Sequence, residues 1–146
     1  MEYTINIKGR LMDLGTPQVM GILNVTPDSF YSGSRKQTEE EIANRANQII
    51  AEGGSIIDVG AFSTRPGADV VSEEEEGRRL KFALDIVRRE QPDVAISVDT
   101  YRPTLARKCI EEWGADIIND VSEGGITGIA NVCAAHACHD DEGLCP

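Results

Sequence analysis

Apolar residues fall along this chain in two rhythms: short unbroken runs, and longer stretches where they return every third or fourth position. Tyr3 to Ile7 alternates, and Gly9, Asp13-Leu14-Gly15 and Pro17 follow, which predicts a small hairpin or edge strand ahead of the main elements. Val19 to Asn24 is the first buried strand, ending abruptly in polar turn chemistry at Thr26-Pro27-Asp28-Ser29. A Ser- and Gly-rich loop runs from Val25 to about Gln37, long enough to be functional or mobile. Thr38 and Glu41 stand at capping-box spacing before a stripe of Ile42, Ala46, Ile49 and Ile50, and Gly53-Gly54 ends that helix.

The same sentence is then repeated. Ser55 to Val59 predicts a second strand carrying Asp58 and running into Gly60, with a loop from Ala61 to Val71. Ser72 and Glu75 cap a second helix, with Leu80, Ala83, Leu84 and Val87 facing inward and Arg88-Arg89 at its negative end. Val94 to Val98 is the third strand, ending at Asp99. Pro103 opens a third helix whose inward face is Leu105, Ala106, Cys109, Ile110 and Trp113, and Gly114 closes it. Asp116 to Ile118 is the fourth strand, leading to Asn119 and Asp120. Strands alternating with helices imply parallel pairing through crossovers, hence an α/β fold of TIM-barrel-like βα repeats with about four units, a partial barrel. Beyond Val121 the pattern fades: 122–127 is glycine-rich, and 129–146 reads as an atypical, irregular tail after a domain of residues 1–128.

A chain of 146 residues suits one domain and is short for a barrel of this class, which typically needs about 250. Its formal net charge of −11 argues against nucleic acid or an anionic membrane as partner, though a local site can still be positive. Glu73 to Glu76 reads as the acidic first turn of a helix. With neither a signal-peptide pattern nor a membrane-length apolar run, the expected compartment is the cytoplasm. Cys133, His136, Cys138 and His139 form a Cys-x-x-His-x-Cys-His cluster near Cys145, but the spacing matches no closed four-ligand zinc pattern.

The chemistry concentrates at the strand ends. Asn24, Asp58, Asp99 and Asn119 close the four strands, and in a parallel barrel all such ends open on one face. Taken singly, each could be a helix cap or loop stabiliser; their recurrence in every unit favours a site. The carboxamide of Asn24 can coordinate a hard cation or donate to a phosphate oxygen. Asp99 and Asn119 offer acceptor and donor edges for a flat heterocycle. Arg65, in the Ser63-Thr64-Arg65-Pro66-Gly67 loop, could contact a carboxylate or pyrophosphate.

Three runs, GILNVTPDSF at Gly21 to Phe30, DVGAFSTRPGA at Asp58 to Ala68 and SVDT at Ser97 to Thr100, resemble the dihydropteroate synthases in order and interval. The likeness covers roughly residues 5 to 122. It implies a TIM barrel of folate synthesis that joins 4-aminobenzoate to hydroxymethyl-dihydropterin pyrophosphate, giving dihydropteroate and pyrophosphate. By the same resemblance Asn24 matches a Mg²⁺-site asparagine, Thr64, Asp99 and Asn119 match pterin-holding positions, and Arg65 lies in a mobile second loop. Asp58 joins the substrate-binding set, and Asp99 and Arg65 are the catalytic candidates.

The family's remaining pterin-site aspartate, its lysine, and its pyrophosphate-holding arginine and histidine come from the second half of the barrel and have no match here. The expectations are therefore a truncated or frame-shifted reading, poor turnover by this chain alone, and a homo-oligomer in which two half barrels pair. Two other readings stay open: a non-catalytic pterin-binding or interaction module, and a barrel of the methyl-tetrahydrofolate methyltransferase type.

Overall fold

The computed structural model describes residues 4–7, 10–13, 15–25, 35–61 and 71–119. The predicted alternation is realised: a hairpin of β1 (Thr4–Ile7) and β2 (Arg10–Asp13) precedes β3 (Met20–Asn24), α1 (Arg35–Ala51), β4 (Ile56–Gly60), α2 (Glu73–Glu90), β5 (Ala95–Asp99), α3 (Pro103–Glu111) and β6 (Ile117–Asn119). The four strands β3 to β6 are parallel and lie side by side in chain order, as consecutive βα units require. No helix among the described residues is long and apolar enough to cross a membrane.

Side chains alternate across a strand, so the register divides the sheet into two faces with different tasks. Leu23, Ile57, Val59, Ile96 and Val98 turn to one face and are fully buried beneath the helices. They meet Ile42, Ala46 and Ile49 of α1, Leu80, Leu84 and Val87 of α2, and Leu105 and Cys109 of α3 in one continuous core. The helical stripes expected from the sequence are thus largely the faces that are buried; Ile50, Ile110 and Trp113 are half-buried against the core, and Trp113 lies past the end of α3 at Glu111. Burial pushes the Cys109 thiol up to about 12, with the charge of Glu76 adding to it, so Cys109 is an inert core group.

The opposite face is built in three rows. Met20, Ile56 and Ala95 form the first, Ile22, Asp58, Ser97 and Ile117 the second, and Asn24, Gly60, Asp99 and Asn119 the third. The hairpin covers the β4 and β5 members of the first row, where Ile7 packs on Ile56 and Ala95 with Met12 and Ile117 alongside, and leaves Met20 exposed. This face therefore runs from an apolar end to a polar end. Strand β3, expected as a buried strand, buries only Leu23 fully and leaves Met20 and Ile22 exposed, and the polar end carries the groups suited to chemistry.

Several boundaries differ from the sequence expectation for identifiable reasons. Helix α1 begins at Arg35, one turn early, through residues of good helical propensity; Thr38 is inside it and only 3% exposed, so it is not the cap. Ser72 does cap α2, accepting from the Glu75 amide at 3.2 Å, but the Glu75 carboxylate pairs with Arg78 and Arg79. Gly53 stops α1 as expected. Its φ of +97° disfavours other residues, and the Gly54 amide reaches back to the Ile49 carbonyl at 2.8 Å. Strands β4, β5 and β6 each start and end one residue later than their apolar runs, because the ladder continues through Gly60, Asp99 and Asn119.

Candidate functional site

The shift by one residue decides how the site is built. Asp99 and Asn119 are ladder residues paired with each other, and Gly60 pairs with both Asn24 and Asp99, so the third row is a fixed line across four strands. The Val25 amide donates to the Gly60 carbonyl at 2.7 Å and holds the end of β3 in that line. Gly60 leaves the line bare at its centre. A Cβ there would stand 3.1 Å from Asn24 Oδ1, 3.6 Å from Asp99 Cβ and 3.8 Å from Asp99 Oδ2. Two oxygen-bearing side chains therefore flank a cradle that any other residue would begin to fill.

Asp58 does not close its strand, contrary to the sequence expectation. It lies in the second row, beneath the line, because β4 continues to Gly60. It is 5% exposed, beside fully buried Ser97. Burial raises the Asp58 carboxyl above its ordinary value, while the side chains of Ser97 and Asn119 pull it back. Asp58 Oδ1 and Ser97 Oγ are both buried and make no hydrogen bond of ordinary geometry among the described residues, although Ser97 stands close enough to favour the Asp58 carboxylate. Such atoms are costly unless something satisfies them, and here they form a polar floor under Asp99 and Asn119.

Of the residues singled out from sequence, the structure brings Asn24, Asp99 and Asn119 into one row and sets Asp58 just below. Thr64 and Arg65, most of the first loop and the Cys/His tail lie outside the described residues. Sequence reading missed Gly60 and Ser97 as site residues. Each has a signal: Gly60 follows Asp58, and Ser97 precedes Asp99, by the two-residue step that keeps a strand position on one face. Among the described residues no group of three His, Cys, Asp or Glu side chains could hold a metal ion. The donors at the cradle are oxygens, the amide of Asn24 and the carboxylate of Asp99, which suits Mg²⁺ completed by substrate oxygens and water.

A family model described as pterin binding enzyme matches residues 20–139. This chain belongs to the pterin binding enzyme family. The match runs past residue 122, where the motif resemblance ends. Among curated relatives, a dihydropteroate synthase of Streptococcus pyogenes is 45% identical over 116 residues, covering 80% of this chain and 43% of that protein. The mitochondrial folate synthesis bifunctional protein of Arabidopsis thaliana is 48% identical over 127 residues, covering 85% of this chain and 23% of that protein. A solved dihydropteroate synthase of Xanthomonas albilineans with 4-aminobenzoic acid superposes at a TM-score of 0.78 with 34% identity, over 91% of this chain and 49% of that one. The Burkholderia cenocepacia enzyme complexed with 7,8-dihydropteroate gives 0.71 and 32%, over 88% and 41%. The chain thus spans less than half the length of these relatives, and the resemblance seen in its three motifs is a relationship of fold and sequence.

Proposed function

We propose that this chain carries the pterin-binding part of a dihydropteroate synthase site, with Asp99 and Asn119 holding the pterin. The observation that supports this most is the third row: Asn24, Asp99 and Asn119 in register, with Gly60 bare between them and a buried polar floor beneath. A flat aminopyrimidinone ring needs acceptors for its amino and ring N–H groups, which Asp99 and Asp58 can supply, and an amide such as Asn119 for its remaining edge. The solved relatives that hold 4-aminobenzoic acid and 7,8-dihydropteroate support the same substrate class.

The reaction proposed joins 4-aminobenzoate to hydroxymethyl-dihydropterin pyrophosphate. The arylamine nitrogen attacks the pterin methylene carbon, the carbon–oxygen bond to pyrophosphate breaks, the bonding pair leaves with pyrophosphate, and the amine loses a proton. Mg²⁺ held by Asn24 would neutralise charge on the leaving group as a Lewis acid. Asp99 steadies the positive charge that builds on the methylene as the bond opens. Thr64 and Arg65, assigned by motif, would contact the pterin and the reacting centre.

Calorimetry on the chain with hydroxymethyl-dihydropterin pyrophosphate, with and without Mg²⁺, tests the reading. Binding that tightens with Mg²⁺ and is lost in Asp99→Ala is the expected result. Binding of pterin alone, indifferent to the metal, would favour a non-catalytic pterin module, and no binding at all would overturn the proposal.

A further inference from the structure

A buried network outside the row joins the end of β5 to the two ends of the 62–70 segment. Glu76, on α2, has no solvent exposure, and neither does Thr100, the residue after Asp99. The Thr100 hydroxyl donates to Glu76 Oε2 at 2.7 Å, and the Arg102 amide donates to Thr100 Oγ1 at 3.2 Å. Arg102 Nε stands 3.5 Å from Glu76 Oε1, and its Nη2 donates to the Val71 carbonyl at 2.7 Å and to the Tyr101 hydroxyl at 3.0 Å. At the other end of the segment, buried Arg79 donates to the Ala61 carbonyl at 3.3 Å and to Glu75 at 2.9 Å. The carbonyls of Ala61 and Val71 are therefore each held by a guanidinium, one based on α2 and one on the β5–α3 connection.

An uncompensated carboxylate in this position would be strongly destabilising, and an apolar residue would pack as well or better if packing were all that was needed. The Thr100 hydroxyl fixes a direction at Glu76 Oε2, and the Arg102 guanidinium balances the charge at Oε1 as an ion pair without a hydrogen bond. Thr100 sets the exit angle of β5 one residue beyond Asp99. Arg102 carries the same restraint to Val71.

We propose that Glu76, Thr100 and Arg102 form a positioning unit that couples the aim of Asp99 to the base of the segment bearing Thr64 and Arg65. What the coupling serves rests on the pterin-site reading; the coupling itself does not. The three residues touch neither ring nor leaving group and act through Asp99 and the backbone at Val71.

The test uses the full chain as wild type and as Thr100→Val, Thr100→Ser, Arg102→Lys and Glu76→Gln. Hydrogen exchange and thermal midpoints are read without ligand, and affinity for hydroxymethyl-dihydropterin pyrophosphate with Mg²⁺ is read by calorimetry. In Thr100→Val and Arg102→Lys, exchange should rise about tenfold at 71–72 and 99–102 with β3 and α1 unchanged. Affinity should fall about fivefold or more, beyond what the change in midpoint explains, and Thr100→Ser should restore both. Unchanged exchange at those sites, or a uniform rise across the chain, would overturn the proposal. A localised exchange response in these variants, together with a wild-type chain that binds no pterin, would uphold the coupling and contradict the function reading, so the two failures are distinguishable.

Discussion

Asp58 shows how one buried side chain ties stability to the site. Burial lifts its carboxyl, and that of Glu76, above the ordinary carboxylate range. The folded state then keeps a proton that the unfolded chain has already released, so stability falls as pH rises from the ordinary value through the raised one. Asp58→Asn, which cannot ionise, should flatten that fall in urea denaturation series between about pH 4 and 7; an unchanged slope would mean that Asp58 is not the group responsible. Gly60→Ala makes the complementary point. Its Cβ would crowd Asn24 Oδ1, so the fold should lose only about 1 kcal/mol. Metal-dependent pterin affinity should drop about tenfold by calorimetry, since the cradle is partly filled. Wild-type affinity in that variant would remove the cradle from the site.

At the scale of elements, the helices were legible because their buried stripes recur at 3.6-residue spacing, and Ile42, Ala46, Leu80, Leu84 and Cys109 all prove to be core. Strand ends were less legible. An apolar run stops where burial stops, whereas the ladder of hydrogen bonds takes in Asp99 and Asn119 regardless of polarity. That difference moved Asp58 from a strand end to the second row. Capping was legible at Ser72 and misleading at Thr38, where residues before the signal are themselves helix formers. Tertiary use of a charge was not legible either. Arg88, read from sequence as a partner of the helix dipole, donates to the carbonyls of Pro92, Val94 and Gly114 and to Asp116, whose carboxylate also takes the Ile96 amide. It fastens the starts of β5 and β6 together. Arg88→Ala should therefore cost about 2–3 kcal/mol in chemical denaturation; a loss near zero would reduce Arg88 to a surface charge.

For the whole molecule, the sheet order places β3 at one end of the four strands, and there Val19, Met20 and Ile22 are 59%, 41% and 56% exposed. Among the described residues no strand pairs with the outer edge of β3, and an apolar strand with such an edge tends to acquire a partner. We infer that the chain self-associates through this edge, and light scattering should show a dimer or larger species whose population falls in Ile22→Lys; a monomer at every concentration would contradict this. The same scale holds the central claim, that side chains from three strands converge on one pterin. It is tested most directly by following the side-chain amide resonances of every asparagine while hydroxymethyl-dihydropterin pyrophosphate and Mg²⁺ are added. The expected result is that Asn119 shifts with pterin, Asn24 shifts only when pyrophosphate and Mg²⁺ are both present, and Asn47, engaged with Gln91 on the helical side, stays still. Shifts at Asn47 in place of Asn24 and Asn119, or none at any asparagine at saturating ligand, would contradict a site at the polar end of this sheet.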